Sequence, residues 1–117
     1  MNERRHESRF LCADLVKVEW FSEDGDGKSL RAVEAVLEDI SSLGACVQVD
    51  EPVPVGATIL ISAGEEEVAR LCGQVSYCVF RDYGYFVGIR FSNDSRWSSG
   101  VFEPQHLTSL EALATNH

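Results

Sequence analysis

The segment GYFVGIRF, residues 84–91, decides the fold class of this chain. Large apolar side chains stand at every second position in it, at Tyr85, Val87, Ile89 and Phe91. Because successive side chains of a β-strand point to opposite faces, this spacing predicts a strand that buries one face and exposes the other.

The same alternation recurs in four earlier segments, and turn-forming residues separate the segments. EDGDG (23–27) and RDYG (81–84) are typical of tight hairpins, and PVPVG (52–56) is typical of a corner. About six strands joined by short turns predict an antiparallel β-barrel or a closed sandwich. The alternating apolar positions are Val16, Val18 and Trp20; Val33, Ala35 and Leu37, interrupted by Val36; Ala45, Val47 and Val49; and Leu71, Val75, Tyr77 and Val79.

The end of the chain has the pattern of a short α-helix. Pro104 suits a first helical turn, and Thr108 with Glu111 matches a capping box. Apolar residues recur at helical spacing at Leu107, Leu110 and Leu113 (or Ala114). This helix would pack on the barrel, and docking on a partner protein is the alternative.

Length and charge restrict the classes of function. The chain has 117 residues, enough for one domain with a hydrophobic core. Its formal net charge of -9 argues against general binding of DNA or RNA, because phosphate neutralisation dominates such binding.

No secretory signal follows Met1, and no apolar run approaches the roughly 18 residues of a membrane helix. We therefore expect a cytoplasmic protein that does not insert into membranes.

The four cysteines are expected to be free thiols. Cysteines of a cytoplasmic protein stay reduced, and Cys12, Cys46, Cys72 and Cys78 contain no CxxC pair. His106 is remote from all of them in sequence. We predict no metal site, and thiols that pack as small hydrophobic groups.

No group of residues indicates catalysis. His6 and His117 lie near the chain ends and His106 near the predicted helix start, so no Ser–His–Asp or Cys–His arrangement is visible. DGDGK (24–28) loosely resembles a calcium loop, but Lys28 stands where the third oxygen ligand belongs. A hairpin turn is the better interpretation of that segment, and we predict that the protein is not an enzyme.

RRHESR, residues 4–9, concentrates positive charge in an acidic chain. It holds three of the ten Lys and Arg residues, and Arg5 and Arg9 lie on one side whether this stretch is helical or extended. Charges more than about 8 Å apart are largely screened at physiological salt. The arginine cluster therefore favours a small anion, whereas the net charge disfavours a long polyanion.

DISSLG, residues 39–44, follows the second predicted strand. Asp39 and Ser41 face the same side of an extended chain, and Gly44 permits a positive φ or the close approach of another group. By itself, such a segment is most simply a loop in which Asp and Ser satisfy backbone amides.

Together, the two segments resemble the signature of the PilZ family. Arg5-x-x-x-Arg9 precedes Asp39-x-Ser41-x-x-Gly44 by about thirty residues, and GACVQVDEPVPVG (44–56) and GYFVGIRF are similar to PilZ strands. The resemblance implies an all-β fold: a six-stranded antiparallel barrel of the split-barrel type with a short C-terminal α-helix. It covers residues 1–117 as a single domain. Residues 1–9 would be a flexible ligand-binding arm, residues 10–100 the barrel, and residues 101–117 the helix and tail.

The resemblance also implies a receptor for cyclic di-GMP in bacterial second-messenger signalling. The ligand would be held between the RxxxR arm and the DxSxxG strand end, with no other cofactor. An arginine at position 4 favours two stacked ligands per domain. A downstream protein partner is expected, and the chain would be a monomer or a weak homodimer. The implied ligand-binding residues are Arg4, Arg5, Arg9, Asp39, Ser41 and Gly44.

The chemistry of the ligand suits these residue types. A guanidinium forks onto guanine O6 and N7, clamps phosphate oxygens or stacks on a purine. Asp39 is able to accept hydrogen bonds from guanine N1–H and N2–H₂, and the Ser41 hydroxyl to meet phosphate or base.

Two other functions are consistent with a small barrel. A degenerate PilZ domain would act as a protein–protein adaptor without a nucleotide, using apolar side chains such as Phe21, Phe80, Phe86 and Trp97. Alternatively, a barrel face would bind single-stranded nucleic acid, although the strongly acidic composition counts against it.

Overall fold

Seven strands make up the regular structure of the part of the chain that is described. The computed structural model describes residues 10–24, 27–64, 69–93, 95, 97 and 108–109. The strands are β1 (Phe10–Asp24), β2 (Gly27–Ile40), β3 (Gly44–Val49), β4 (Thr58–Ala63), β5 (Ala69–Arg81), β6 (Gly84–Phe91) and β7 (Thr108–Ser109).

Six of these strands form a closed antiparallel barrel. The order of neighbours is β2-β3-β6-β5-β4-β1, and pairing of β1 with β2 closes the sheet. Closure satisfies the backbone groups that an open sheet would leave unpaired at its edges. The predicted six-stranded antiparallel barrel is thus confirmed.

The C-terminal helix is not confirmed. Thr108 and Ser109 form the short strand β7, which pairs with Leu11 and Phe10 at the start of β1. The edge of β1 offers hydrogen-bonding partners there, so tertiary pairing overrides the local helical preference of these two residues. The rest of the predicted helix lies outside the described residues.

All five alternating segments lie in strands, and two of the predicted hairpins are present. Asp24 pairs with Gly27 across the β1–β2 turn, and Arg81 pairs with Gly84 across the β5–β6 turn. Alternation did not identify β4, TILISA, because its side chains are buried almost continuously, including Ser62. Such a run lacks the polar face that makes a half-buried strand recognisable.

The hydrophobic core fills the barrel interior. All six barrel strands contribute inward side chains, and the four alternating apolar positions of GYFVGIRF are buried or half-buried. The largest fully buried side chains are Trp20, Leu37, Ile40, Ile59, Ile61, Val18, Val47, Val87 and Ser62.

Register shifts interrupt three of the strand ladders. Cys12 and Ala13 of β1 stand opposite the single residue Glu38 of β2. Glu38 is in turn the extra residue of β2 against β3, and Ser76 is the extra residue of β5 against β6. Such bulges bend a strand and re-aim the side chains beside them.

The bulge at Ser76 corrects one expectation from the sequence. Tyr77 and Val79 continue the alternation of Leu71 and Val75, yet they are 45% and 42% exposed. Because the side-chain period of a strand is two, one inserted residue moves the following side chains to the opposite face. Cys78 packs against the core instead.

The cysteines and three of the four aromatic surface candidates have the burial that the sequence predicted. All four cysteines are free, two of them buried and two half-buried, as predicted. Phe21 and Phe80 are exposed and Phe86 is half-buried, which fits their assignment as surface candidates. Trp97 differs, since it is buried and its ring meets Phe10 edge-on at 5.7 Å.

Core packing predicts a large difference between two leucines of β2. Leu37 is completely buried, whereas Leu30 is 54% exposed. Leu37→Ala is expected to lower the free energy of unfolding by about 2–5 kcal/mol, because it removes buried contacts and leaves a cavity. Leu30→Ala, the matched control, is expected to change it by less than about 0.5 kcal/mol. Urea unfolding followed by circular dichroism measures both, and equal losses would contradict the assigned core.

Candidate functional site

The DISSLG segment contains the end of β2, a tight turn at residues 41–43 and the start of β3. The buried Ser41 hydroxyl accepts hydrogen bonds from the backbone N–H groups of Leu43 and Gly44, each at 3.2 Å. The Ser41 N–H donates to the Gly44 carbonyl at 2.8 Å. Ser41 therefore satisfies backbone amides, as the loop interpretation of this segment requires.

Backbone hydrogen bonds join this loop to the end of β6 and to Trp97. Phe91 N–H donates to the Leu43 carbonyl at 2.8 Å, and Trp97 N–H donates to the Ser42 carbonyl at 3.3 Å. A Cβ atom at Gly44 would collide with the backbone carbonyl of Ile89. Of the two roles that the sequence allowed for Gly44, close approach is the one observed, and the approaching group is the neighbouring strand.

A row of directly paired residues runs across five strands next to this loop. Leu11 of β1 pairs with Asp39 of β2, and Asp39 pairs with Cys46 of β3. Cys46 pairs with Gly88 of β6, and Gly88 pairs with Tyr77 of β5. Directly opposed residues of a sheet share a face, so Asp39 and Tyr77 belong to the same outer wall.

Two adjacent cavities lie on this wall. The motif cavity, of about 250 Å³, is lined by Asp39, Ser41, Gly44, Ala45, Cys46, Ser76, Tyr77, Gly88 and Ile89. The hairpin cavity, also of about 250 Å³, is lined by Leu11, Glu38, Asp39, Cys46, Tyr77, Val79, Arg81 and Phe86. They share Asp39, Cys46 and Tyr77, so they form one two-part depression.

Gly88 determines where the ring of Tyr77 lies. A Cβ atom at position 88 would overlap that ring, so the ring occupies the space that a side chain would take. The bulge at Ser76 turns Tyr77 outward, and Gly88 then lets its ring lie against the strand. An aromatic surface thus lies between the two cavities.

The charged groups of the described lining are two carboxylates and one guanidinium. Glu38 and Asp39 are adjacent carboxylates, and burial together with the negative charge of Asp39 raises the pKa of the Glu38 carboxyl above its usual value. Arg81 is the one cation among the described residues that line these cavities. Its guanidinium carbon lies 5.8 Å from the centroid of the Phe86 ring.

Cys12 is buried and stands opposite Glu38 in the β1–β2 ladder. Burial and, to a smaller extent, the negative charges of Asp14, Asp39 and Glu38 together raise the pKa of its thiol to about 12. The neutral thiol is therefore the stable form at physiological pH, and Cys12 is unsuited to act as a nucleophile.

The structure brings together only part of the site predicted from the sequence. Asp39, Ser41 and Gly44 line one cavity, whereas Arg4, Arg5 and Arg9 lie outside the described residues. Among the lining residues that sequence reasoning did not assign to the site, four depend on register: Glu38, Tyr77, Arg81 and Gly88. The GYFVGIRF segment contained one signal, a glycine in the middle of an apolar strand.

A larger cavity, of about 360 Å³, lies between β1, β2 and β4. Among the residues that the structure describes, its lining includes none of the predicted site residues and no aromatic side chain. Its cation, Lys17, lies 4.0 Å from a carboxylate oxygen of Glu19. This cavity therefore offers less to a nucleotide than the two-part depression does.

Two further observations concern the described residues only. No three His, Cys, Asp or Glu side chains among them are grouped as a metal site would require. None of these residues belongs to a helix with the length and hydropathy needed to cross a membrane.

The closed six-stranded barrel with DISSLG at its rim defines a PilZ-like fold. Among solved structures, the chain is similar to the PilZ domain with c-di-GMP of YcgR from Escherichia coli. The TM-score is 0.56 at 17% sequence identity, covering 79% of this chain and 80% of that chain. No protein-family model and no curated protein matches the sequence. The resemblance that the two sequence motifs indicated is thus confirmed at the level of the fold.

The hydrogen bonds of Ser41 predict a stability effect that is independent of any ligand. Ser41→Ala removes two part-buried hydrogen bonds, from the backbone N–H groups of Leu43 and Gly44, and at about 0.5–1.5 kcal/mol each the expected loss is about 1–3 kcal/mol of unfolding free energy. Ser42→Ala is the matched control, because Ser42 is exposed and its expected effect is below about 0.5 kcal/mol. Thermal or urea unfolding without ligand measures both, and an unchanged Ser41→Ala protein would contradict the loop geometry.

The raised pKa of Cys12 predicts slow alkylation of the folded protein. At about pH 8.5, the ordinary pKa of a free thiol, Cys12 is expected to remain protonated and to resist iodoacetamide. In urea the same residue should react at the rate of an ordinary cysteine. Peptide mass spectrometry after timed quenching measures the rate at Cys12. Equal rates in the folded and unfolded protein would contradict the buried, neutral thiol.

Proposed function

We propose that this domain is a receptor for cyclic di-GMP and that the ligand occupies the two-part depression. The observation that carries the proposal is the convergence of Asp39, Ser41 and Gly44 on the motif cavity, next to the Tyr77 ring. The PilZ-like fold supports it, since the PilZ domain of YcgR is similar to this chain and its structure is described as being with c-di-GMP.

The size of the depression indicates how such a ligand would lie. Each cavity, at about 250 Å³, is smaller than the roughly 300–1,000 Å³ that usually encloses a drug-sized molecule. A cyclic dinucleotide with two guanines therefore has to extend over both cavities, and a further segment has to cover it to exclude water.

The charge of the outer wall indicates which segment of the chain covers the ligand. Glu38 and Asp39 repel the two phosphates of the ligand, and Arg81 alone does not neutralise them. The proposal therefore needs cations from elsewhere in the chain, and the RRHESR segment supplies three. It leads directly into Phe10 and Leu11, and Leu11 lines the hairpin cavity. Arg4, Arg5 and Arg9 would clamp the phosphates or stack on the guanines.

Three barrel residues would have separate roles in binding the ligand. Asp39 would accept hydrogen bonds from guanine N1–H and N2–H₂, which adenine cannot provide in the same pattern. The Ser41 hydroxyl already accepts hydrogen bonds from two backbone N–H groups, so its role is to hold the loop that shapes the cavity. Gly44 allows β6 to approach and keeps the floor of the cavity in place.

A protein-docking function is the second candidate, and one surface favours it. The β5–β6 hairpin exposes Val79, Phe80 and Tyr83, which are 42%, 59% and 75% accessible. Exposed apolar side chains mark many protein interfaces where they cluster. In the adaptor alternative, the hairpin would bind its partner whether or not a nucleotide is present.

Isothermal titration with cyclic di-GMP, with GMP as control, tests the receptor proposal. Saturable binding is expected for the wild-type protein. Arg9→Ala and Asp39→Ala should each weaken it roughly 5- to 150-fold, the loss of one bidentate guanine contact. Asp39→Ala should in addition relax the preference for cyclic di-GMP over cyclic di-AMP.

Two controls make this titration decisive. Ser42→Ala should bind like the wild-type protein, because Ser42 lines neither cavity. Circular dichroism verifies that each variant is folded. A folded wild-type protein that is silent at high ligand concentration would refute the receptor proposal and favour the adaptor, and unchanged affinity in Arg9→Ala would refute the role of the arm.

A further inference from the structure

The hairpin cavity contains planar groups that the RxxxR and DxSxxG motifs do not account for. The Arg81 guanidinium lies over the Phe86 ring, and both residues line the cavity together with Tyr77. A guanidinium that lies over an aromatic ring on one side is able to stack on a planar group with its other face. Arg81 and Tyr77 are exposed, so an incoming ring is able to reach both.

The same cavity contains a carboxylate of its own. Glu38 is the bulged residue of β2, and the bulge brings it into the lining beside Asp39. A carboxylate is an acceptor only, and its natural planar partner is a base edge with two adjacent donors. Guanine has such an edge in N1–H and N2–H₂, whereas the corresponding edge of adenine presents an acceptor.

We infer that the hairpin cavity is a purine subsite, in which Arg81 stacks on a guanine and Glu38 accepts from its N1–H and N2–H₂ edge. This inference rests on the proposed function and extends it, since it assigns one guanine to Asp39 in the motif cavity and another to Glu38 in the hairpin cavity. The subsite is assigned to a base rather than a phosphate, because the Glu38 carboxylate in its lining repels an anion.

Titration of Arg81 variants with cyclic di-GMP tests the stacking contact. Arg81→Ala is expected to weaken binding roughly 5- to 150-fold, as the loss of one base-stacking contact does. Arg81→Lys keeps the charge but loses the planar face, so it should weaken binding nearly as much. Arg70→Ala is the matched control: Arg70 is an exposed arginine of the same strand that lines neither cavity, and its affinity should equal that of the wild-type protein.

Titration of Glu38→Ala with cyclic di-GMP and cyclic di-AMP tests the edge contact. The variant is expected to lose affinity for cyclic di-GMP and to discriminate less between the two ligands. A gain of affinity for cyclic di-GMP would show that Glu38 only repels the phosphates, and it would overturn the assigned contact.

The outcomes separate the subsite from the receptor proposal. If the folded wild-type protein does not bind cyclic di-GMP, the proposed function fails, and the subsite with it. If the wild-type protein binds but Arg81→Ala equals Arg70→Ala, only the subsite is overturned. Full affinity in Arg81→Lys together with a loss in Arg81→Ala would show a charge effect and would likewise overturn the stacking contact.

Discussion

The pairing of β1 along both of its edges is the constraint on which the rest of the structure depends. Its Lys17–Trp20 stretch pairs with β4 on one side, and the whole strand pairs with β2 on the other. This double pairing turns a six-stranded sheet into a barrel and encloses the core around Trp20 and Leu37. Closure also requires each strand to bend, and regular alternation cannot continue through every bend.

The three register shifts connect the closed barrel to the candidate site. The two shifts that involve Glu38 bring its side chain into the same cavity lining as Asp39. The third shift turns Tyr77 from the core to the outer wall. Gly88, directly opposite Tyr77, leaves room for the ring. The two-part depression is therefore a consequence of how the sheet closes, and it extends well beyond the DISSLG loop.

The proposed site divides its tasks between two parts of the chain. The barrel presents a wall with acceptors and an aromatic ring, suited to the edges and faces of bases. In the proposed function, phosphate binding would fall to the arginines that precede β1, because the charged groups of the described wall are two carboxylates and one guanidinium. Such a receptor would bind only when both parts meet the ligand, which would link occupancy to the arm.

The sequence by itself determined the fold class and the loop of the candidate site. Period-two alternation in segments such as GYFVGIRF requires half-buried strands, and the spacing of Asp39, Ser41 and Gly44 marks a constrained loop. Alternation did not reveal β4, in which four of six residues are buried and Leu60 is half-buried, and the helical pattern around Thr108 did not prevent strand pairing there. Only the tertiary structure decided that Tyr77 and Val79 face outward and that Glu38 and Arg81 share a cavity with Asp39. The physical reason is that a bulge is set by how a strand pairs with its neighbours, and that pairing joins residues far apart in the sequence.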